Sequence, residues 1–260
     1  MGLVNWLRCR LAHPSLRGLD IDDPRTTEVR RTIIKTNRFL SKIYQSWYDL
    51  LISQIPESAG RILELGSGGG YLAEIHPEIL SSEIFYCAHV HVILNGEELP
   101  FPTGKLTGIV MTNVMHHIPN IRKFFIEVER CLQTGGILAM IEPWNTAWST
   151  FVYRHLHTEP FDPQTPAWEF PTSGPLSSAN GALPWLVFKR DKATFESEFP
   201  ELKIQTIQPI MPFQYLVSGG VSMRQLMPDW SYQVWDGIEK SLTPWMNSLA
   251  MFAYICVKKV

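Results

Sequence analysis

Apolar residues recur at steps of three and four along residues 26–54. This is the period of one face of an α-helix. The apolar positions are Val29, Ile33, Ile34, Leu40, Ile43, Trp47, Leu50 and Leu51. The preceding GLDIDDPRTT, residues 18–27, is rich in residues that cap helix starts. We therefore predict one or two helices ahead of the rest of the fold.

The pattern changes at Arg61 to short apolar runs separated by turn residues. Such runs with helical segments between them indicate a mostly parallel sheet. The candidate strands are 61–65, 79–85, 89–94, 107–112, 136–141, 203–213 and 249–259. Residues 121–136 and 191–202 are predicted as helices, and the glycines at 135 and 136 are expected to stop the first of them. Only a short helix fits in YLAEIH, residues 71–76, before Pro77.

Residues 143–190 differ from both patterns, because they hold seven prolines and nine aromatic residues. Proline interrupts helices and central strands, so we expect no regular helix and no central strand here. Solvated linkers are poor in aromatic residues. The segment is therefore predicted to be an ordered, irregular cap that packs through its aromatic side chains.

The net charge of −2 gives no bulk field that would attract nucleic acid or an anionic membrane. We expect no nucleic-acid partner. The cysteines, at positions 9, 87, 131 and 256, form no CxxC pair, which argues against a disulfide framework and a thiolate zinc site. A reducing, cytoplasmic location fits this best.

The first fourteen residues do not resemble a signal peptide, because two arginines lie inside their apolar stretch. The longest apolar run, around residues 249–257, is well short of the ~20 residues that cross a bilayer. We expect a soluble protein with no integral membrane segment. A peripheral membrane contact and the oligomeric state stay open.

A glycine-rich turn, in ILELGSGGGYL at residues 62–72, directly follows the first candidate strand. This places it at the carboxyl edge of the sheet, where open α/β folds bind ligands. A P-loop is excluded, since no lysine and Ser/Thr follow the glycines. The dinucleotide pattern GxGxxG/A fails from Gly66, where Tyr71 takes the sixth place, but passes from Gly68 with Ala73. An NAD site therefore stays open as an alternative.

The same turn also contains an acid followed by alternate glycines. Glu64, Gly66, Gly68 and Gly70 match E/D-x-G-x-G-x-G without a gap. In this motif the chain resembles the class I S-adenosylmethionine-dependent methyltransferases, and within them the type 11 group that includes the ubiquinone and menaquinone biosynthesis methyltransferases.

Later segments resemble the same family in the same order. Glu83 follows Gly66 by 17 residues, where the family has its ribose-binding acid. NGEELPF at 95–101 is similar to the family's segment after the third strand, IVMTNVMHHI to the end of its fourth strand, and LQTGGILAMIEP to its fifth. The resemblance covers roughly residues 60–143.

The resemblance implies an α/β Rossmann-like methyltransferase fold. This fold has a mostly parallel seven-stranded sheet with helices on both faces, extended here by the N-terminal helices and the cap. The domain boundaries we predict are an N-terminal helical extension at 1–56, a cofactor-binding core at 57–143, the cap at 144–190 and a C-terminal part at 191–260, with a further insertion at 212–247.

The implied cofactor is S-adenosyl-L-methionine. Its amino acid end needs close backbone approach, its ribose a carboxylate and its adenine amide-like groups. The expected cofactor-binding residues are Glu64, Gly66, Gly68, Gly70, Glu83, Asn95, Gly96, Thr112 and Asn113. Glu78 is an alternative to Glu83 for the ribose if the strand register is shifted.

His116 and His117 are the candidate catalytic residues, because the resemblance places them near the transferred methyl group. An imidazole titrates near neutral pH and can remove a proton from an acceptor. The alternative is structural: one histidine points into the core and the other caps the turn at Pro119. Glu142 and Glu159 are further candidates for a base.

Two His-x-His pairs, at 89/91 and 155/157, have the spacing of zinc ligands on a strand. No acid or cysteine lies near them at ligand spacing, so we treat both pairs as structural and expect no metal.

The function predicted is S-adenosylmethionine-dependent methyl transfer to a small, partly apolar acceptor molecule. The alternatives are a regulatory protein that binds the cofactor without catalysis and an NAD-dependent oxidoreductase.

Overall fold

The computed structural model describes residues 10–56, 60–157, 159–172 and 174–260. The strands in these ranges are β1 (Arg61–Glu64), β2 (Ile79–Glu83), β3 (Val92–Ile93), β4 (Leu106–Thr112), β5 (Leu132–Pro143), β6 (Leu202–Ile210) and β7 (Phe252–Lys259). They form one seven-stranded sheet in the order β3-β2-β1-β4-β5-β7-β6. β7 runs antiparallel to β5 and β6, and the other pairs are parallel. The predicted fold class is confirmed.

The helices are α1 (Pro24–Thr36), α2 (Arg38–Ile52), α3 (Leu72–Ile75), α4 (Ile121–Cys131), α5 (Ala147–Leu156), α6 (Leu183–Trp185), α7 (Lys192–Glu198), α8 (Gln214–Ser218), α9 (Tyr232–Ser241) and α10 (Met246–Leu249). Short 3₁₀ turns lie at Pro14–Leu16, Met115–His117, Asp229–Ser231 and Thr243–Trp245, and a π-helical turn at Leu186–Arg190. No helix in the described ranges has both the length and the apolar character needed to cross a bilayer.

Helices cover both faces of the sheet. Alternate residues of β5 divide between two cores: Leu138 packs with α4 and α7, whereas Ala139 packs with α1 and α2. This alternation follows from the period of two in a strand. Asn37 separates α1 from α2 and caps the second, since its Oδ1 accepts a hydrogen bond from the Leu40 N–H at 2.9 Å. The periodic segment 26–54 therefore forms two helices.

We expected the glycines at 135 and 136 to stop α4, but they do not. The helix ends at Cys131 and β5 begins at Leu132. Gly135 has a φ of 84°, and the pairing with β4 shifts between Leu106 and Gly108 at this place. The glycines thus form an irregularity inside the strand, where a positive φ accommodates extra residues.

The expectation that residues 143–190 contain no regular helix was wrong. α5 spans ten residues between Pro143 and Pro160, in a stretch that has no proline of its own. Thr146 and Ser149 form a reciprocal capping box at its start. The proline content of the whole segment concealed this local helix signal.

Several of the predicted strands also extended too far. β2 ends at Glu83 and β3 has only two residues, because the chain turns just before it with the Val90 N–H bonded to the Cys87 carbonyl oxygen. Cys87, Cys131 and Cys256 are buried free thiols. The remaining cysteine, at position 9, and most of the segment tested for a signal peptide lie outside the described residues. The domain boundaries stay a prediction.

Candidate active site

The glycine turn links the end of β1 to the short helix α3, and Glu83 holds it in place. Glu83 is 5% exposed at the end of β2. Its Oε2 accepts a hydrogen bond from the Gly68 N–H at 2.8 Å, and its Oε1 accepts one from the Ile84 N–H at 2.8 Å. Burial raises the pKa of Glu83. The alternative acid, Glu78, lies ahead of β2 and is exposed.

Gly68 leaves open space above the turn. Its φ is 53°, and a Cβ built on it would have no neighbour closer than 3.9 Å. A side chain there would have to adopt a left-handed backbone and would project from the turn. This is the bare backbone that the motif predicts.

Gly69, which the motif does not require, is explained by helix α1. A Cβ at Gly69 would lie 2.7 Å from the backbone nitrogen of Arg31 and 3.0 Å from the backbone carbon of Arg30. Arg31 also donates a hydrogen bond to the Gly70 carbonyl oxygen. The third consecutive glycine therefore lets the N-terminal helix pack directly on the turn.

Glu64 is buried beneath this turn. Its Oε2 accepts a hydrogen bond from Ser67 Oγ at 2.7 Å. Burial, together with the nearby Glu83 carboxylate, raises the pKa of Glu64 to about 7, although the Ser67 hydrogen bond and Arg31 oppose the shift. The acid of the motif is thus poised to change charge near neutral pH.

A cavity of about 820 Å³ extends from the glycine turn to the cap. All predicted cofactor-binding residues line it, together with His116 and His117. The cap and the C-terminal part supply apolar walls that include Val152, Tyr153, Phe161, Tyr215 and Phe252. The structure therefore brings the predicted site residues together and places an apolar chamber beside them.

The two candidate catalytic histidines lie on the 3₁₀ turn after β4. Asn113, with a φ of 57°, reverses the chain between that strand and the turn. His116 Nδ1 donates a hydrogen bond to Glu142 Oε2 at 2.7 Å, and His116 Nε2 lies 3.4 Å from Glu159 Oε2. His117 Nδ1 donates to the Ser178 carbonyl oxygen at 3.3 Å. His117 therefore does not cap the turn at Pro119, and His116, although buried, faces the cavity.

The pKa values of the two imidazoles are shifted in opposite directions. Burial alone would lower the pKa of His116, but the hydrogen bonds to Glu142 and Glu159 outweigh it and raise the pKa to about 9. Burial and the neighbouring His116 lower the pKa of His117 to about 4. For Glu159, burial opposes the shift, but the surrounding histidines hold the pKa well below its usual range.

The histidines of the two His-x-His pairs make hydrogen bonds to other groups of the protein. His89 Nε2 donates to the Gly68 carbonyl oxygen at 2.8 Å, which fastens the glycine turn. His91 Nδ1 lies 2.8 Å from Ser81 Oγ, and His155 Nδ1 donates to the Phe151 carbonyl oxygen at 2.8 Å. These contacts agree with a structural role.

Arg30 is a site residue that the sequence did not reveal. It lies on α1 and lines the cavity. Its Nε is buried, and none of the described residues provides it with a hydrogen-bond partner. The only sequence signal is an arginine on a helix that folds over the glycine turn, which is too general to identify it.

Comparison with known proteins decides between the cofactors left open by the glycine pattern. Residues 63–140 match the model of a methyltransferase domain family, type 11. The chain carries a class I methyltransferase domain of this family. The cofactor of this methyltransferase is S-adenosylmethionine, and the NAD interpretation is left without support.

Solved structures agree on the fold of the methyltransferase. A geranyl diphosphate C-methyltransferase from Streptomyces coelicolor A3(2), crystallised with S-adenosyl-L-homocysteine, is 14% identical with a TM-score of 0.50, over 96% of this chain and 89% of that one. A geranyl diphosphate methyltransferase crystallised with the methyl donor itself is 12% identical with a TM-score of 0.50, over 96% of both chains. No curated protein matches the methyltransferase.

Proposed function

We propose that the methyltransferase transfers a methyl group to a small, partly apolar acceptor that also carries an anionic group. The observation that carries this proposal is the continuity of the cavity. Its predicted cofactor-binding residues and its apolar cap walls belong to one space of about 820 Å³. Such a space fits the cofactor and a small acceptor together.

The residues of the turn fit the cofactor. Gly68 leaves room for close backbone approach, and Glu83 presents a buried carboxylate at the end of β2, which suits two vicinal hydroxyl groups. Asn95 and Gly96 follow β3 and line the same cavity, where they would meet the adenine. Thr112 and Asn113 end β4 beside the acceptor chamber.

S-adenosylmethionine supplies an electrophilic methyl group when bound. The protein has to align an acceptor with that group and keep water away. The apolar cap and the N-terminal helix α1 would do both, because α1 packs on the glycine turn and also lines the cavity.

Arg30 provides the reason to expect an anionic group on the acceptor. A buried guanidinium nitrogen that lacks a partner is costly, and an anion relieves that cost. Arg30 interacts electrostatically with Tyr44, Tyr215 and His117, and all three line the cavity. Tyr215 belongs to its apolar walls, and His117 is a candidate catalytic residue. We assign Arg30 to the acceptor rather than to the cofactor on this basis.

Paired acceptors test this assignment. Apolar phenolic and enolic carboxylic acids are compared with their primary amides, and release of S-adenosylhomocysteine is measured. The wild type is expected to prefer the acids, and Arg30→Met to lose roughly ten- to a hundredfold in kcat/KM for them, as a charged hydrogen bond would give. The control Arg38→Met removes an exposed arginine from α2 and should change neither value.

Two results would overturn this proposal. One is an unchanged preference for acids in Arg30→Met. The other is a large loss of cofactor affinity in that variant, which would move Arg30 to the cofactor site. Turnover of any acceptor also excludes a protein that binds the cofactor without catalysis.

Glu64 predicts how cofactor affinity depends on pH. S-adenosylmethionine is cationic, so it binds the ionised carboxylate better. Because burial raises the pKa of Glu64 to about 7, this attraction is present above that pH and is lost as pH falls through it. We expect the dissociation constant to be about tenfold larger at pH 6 than at pH 8, which means weaker binding at the lower pH. Isothermal titration calorimetry across this range measures it.

Two glutamine variants form a matched pair for this measurement. Glu64→Gln should remove most of the pH dependence. Glu239 also has a pKa raised to about 7 by burial, but it accepts hydrogen bonds from the Phe213 and Gln214 N–H groups at the start of α8. Glu239→Gln should therefore keep the pH dependence of the wild type. The same slope in both variants would contradict the role of Glu64.

A further inference from the structure

We propose that His116, His117 and Glu159 bind one divalent transition-metal ion at the acceptor end of the cavity. The two histidines would contribute their Nε2 atoms and the glutamate one carboxylate oxygen, and the Nε2 proton of His116 would be released to solvent as the metal binds. One potential ligand atom from each residue lies within 4.8 Å of the other two. All three residues line the cavity.

The two separations between the histidines and Glu159 are close to those of an occupied metal site. Metal–nitrogen and metal–oxygen bonds of about 2.1 Å place neighbouring ligand atoms roughly 3.0–3.4 Å apart. His116 Nε2 already lies 3.4 Å from Glu159 Oε2, and His117 Nε2 lies 3.9 Å from it. A rotation of the partly exposed His117 ring would close the second distance.

Both histidines are oriented in the way that metal-binding histidines usually are. A ligating imidazole donates its other N–H to a carboxylate or a backbone carbonyl. His116 Nδ1 donates to Glu142, whose Oε1 is itself fixed by the Val114 and Met115 N–H groups at 2.8 Å. His117 Nδ1 donates to the Ser178 carbonyl oxygen. Both Nε2 atoms are thereby directed towards Glu159.

The ligand set selects the kind of metal. Two imidazoles and one carboxylate suit zinc, iron, cobalt or nickel better than magnesium or calcium, which prefer oxygen ligands. Three protein ligands leave at least one position for a further ligand. This position would face the cavity and could hold an oxygen of the acceptor, a role that rests on the proposed function, whereas metal binding itself does not.

Sequence spacing concealed this cluster. Its two histidines are adjacent in sequence, whereas Glu159 follows them 42 residues later, from the segment after α5. The His-x-His pairs have the more familiar spacing of metal ligands, but their ring nitrogens make hydrogen bonds to other groups of the protein. Only the folding of the cap over the turn after β4 brings the carboxylate to the imidazoles.

Cobalt titration tests the site without an acceptor or a cofactor. The full-length protein is treated with a chelator, dialysed and titrated with Co²⁺, and visible absorption is recorded. The wild type should bind one equivalent with the d–d bands of a low-coordinate site, and Zn²⁺ should displace it. Glu159→Gln and His117→Ala should each weaken binding by roughly a hundredfold or more. The control His155→Ala removes an outlying histidine and should bind as the wild type does.

Two outcomes would overturn the site: a wild type with no visible cobalt bands and no zinc-competed binding, or Glu159→Gln and His117→Ala variants that bind cobalt as tightly as His155→Ala. Circular dichroism of each variant establishes that it is folded. Because S-adenosylhomocysteine binding is measured separately on the same samples, loss of the metal site would be distinguishable from failure of the proposed function.

Discussion

The Gly68→Leu variant is expected to lose cofactor binding while it keeps its fold. The wild-type residue has almost open space at its Cβ position and lines the cavity at the glycine turn. A leucine side chain would occupy the volume over the turn, where the cofactor's amino acid end should lie. We expect the affinity for S-adenosylhomocysteine to fall at least about a hundredfold, equivalent to roughly 2.7 kcal/mol. Calorimetry measures this change.

Gly104→Leu is the matched control for backbone strain. Gly104 also has a positive φ, 68°, and nothing within 4 Å of its Cβ position, but it lies in the turn before β4. Both substitutions should cost about 1–2 kcal/mol of stability, because both force leucine into a left-handed conformation. Only Gly68→Leu should lose the ligand. Equal affinities in the two variants would contradict the placement of the cofactor.

Phe125→Ala is expected to destabilise the protein by about 3–5 kcal/mol. Phe125 is fully buried on α4, and its ring packs against Phe188, Phe195 and Phe199 at centroid distances of 5.8, 5.0 and 5.2 Å. Phe188 belongs to the π-helical turn, Phe195 belongs to α7, and Phe199 directly follows α7. The substitution therefore opens a cavity where the end of the cap joins the sheet. Urea denaturation measures the free energy of unfolding.

Phe151→Ala provides the comparison for this prediction. Phe151 lies on α5 and is 53% exposed, although its ring contacts Trp148 and His155. Its removal should cost less than about 1 kcal/mol. Similar losses in the two variants would mean that the aromatic cluster around Phe125 is not the main contact of α4.

The parts of the fold that could be predicted from the sequence are those with local signals. The apolar period of residues 26–54 depends only on neighbouring positions, and it gave both N-terminal helices. The glycine turn was recognisable because a ligand that approaches the backbone requires a missing Cβ at fixed steps. Glu83 was placed at the end of β2 by the family resemblance, which expects an acid 17 residues after Gly66, and β2 does end at Glu83.

The remaining features depend on contacts between distant segments. Gly69 is needed because α1 packs on the turn, and the sequence contains no sign of that packing. Arg30 and Glu159 enter the site from the N-terminal helix and from the cap, so their roles follow only from tertiary structure. Helix α5 was missed for a different reason, since prolines on either side of it dominated the composition of the segment.

Binding of S-adenosylhomocysteine to the wild-type protein is the most direct test that this is an S-adenosylmethionine-dependent methyltransferase with its cofactor at the glycine turn. Calorimetry of the full chain with this product and, in parallel, with NAD separates the two cofactors that the turn alone allowed. We predict one-to-one binding of S-adenosylhomocysteine with a dissociation constant below about 1 mM, and no heat from NAD. Binding of NAD with no detectable binding of S-adenosylhomocysteine would contradict it.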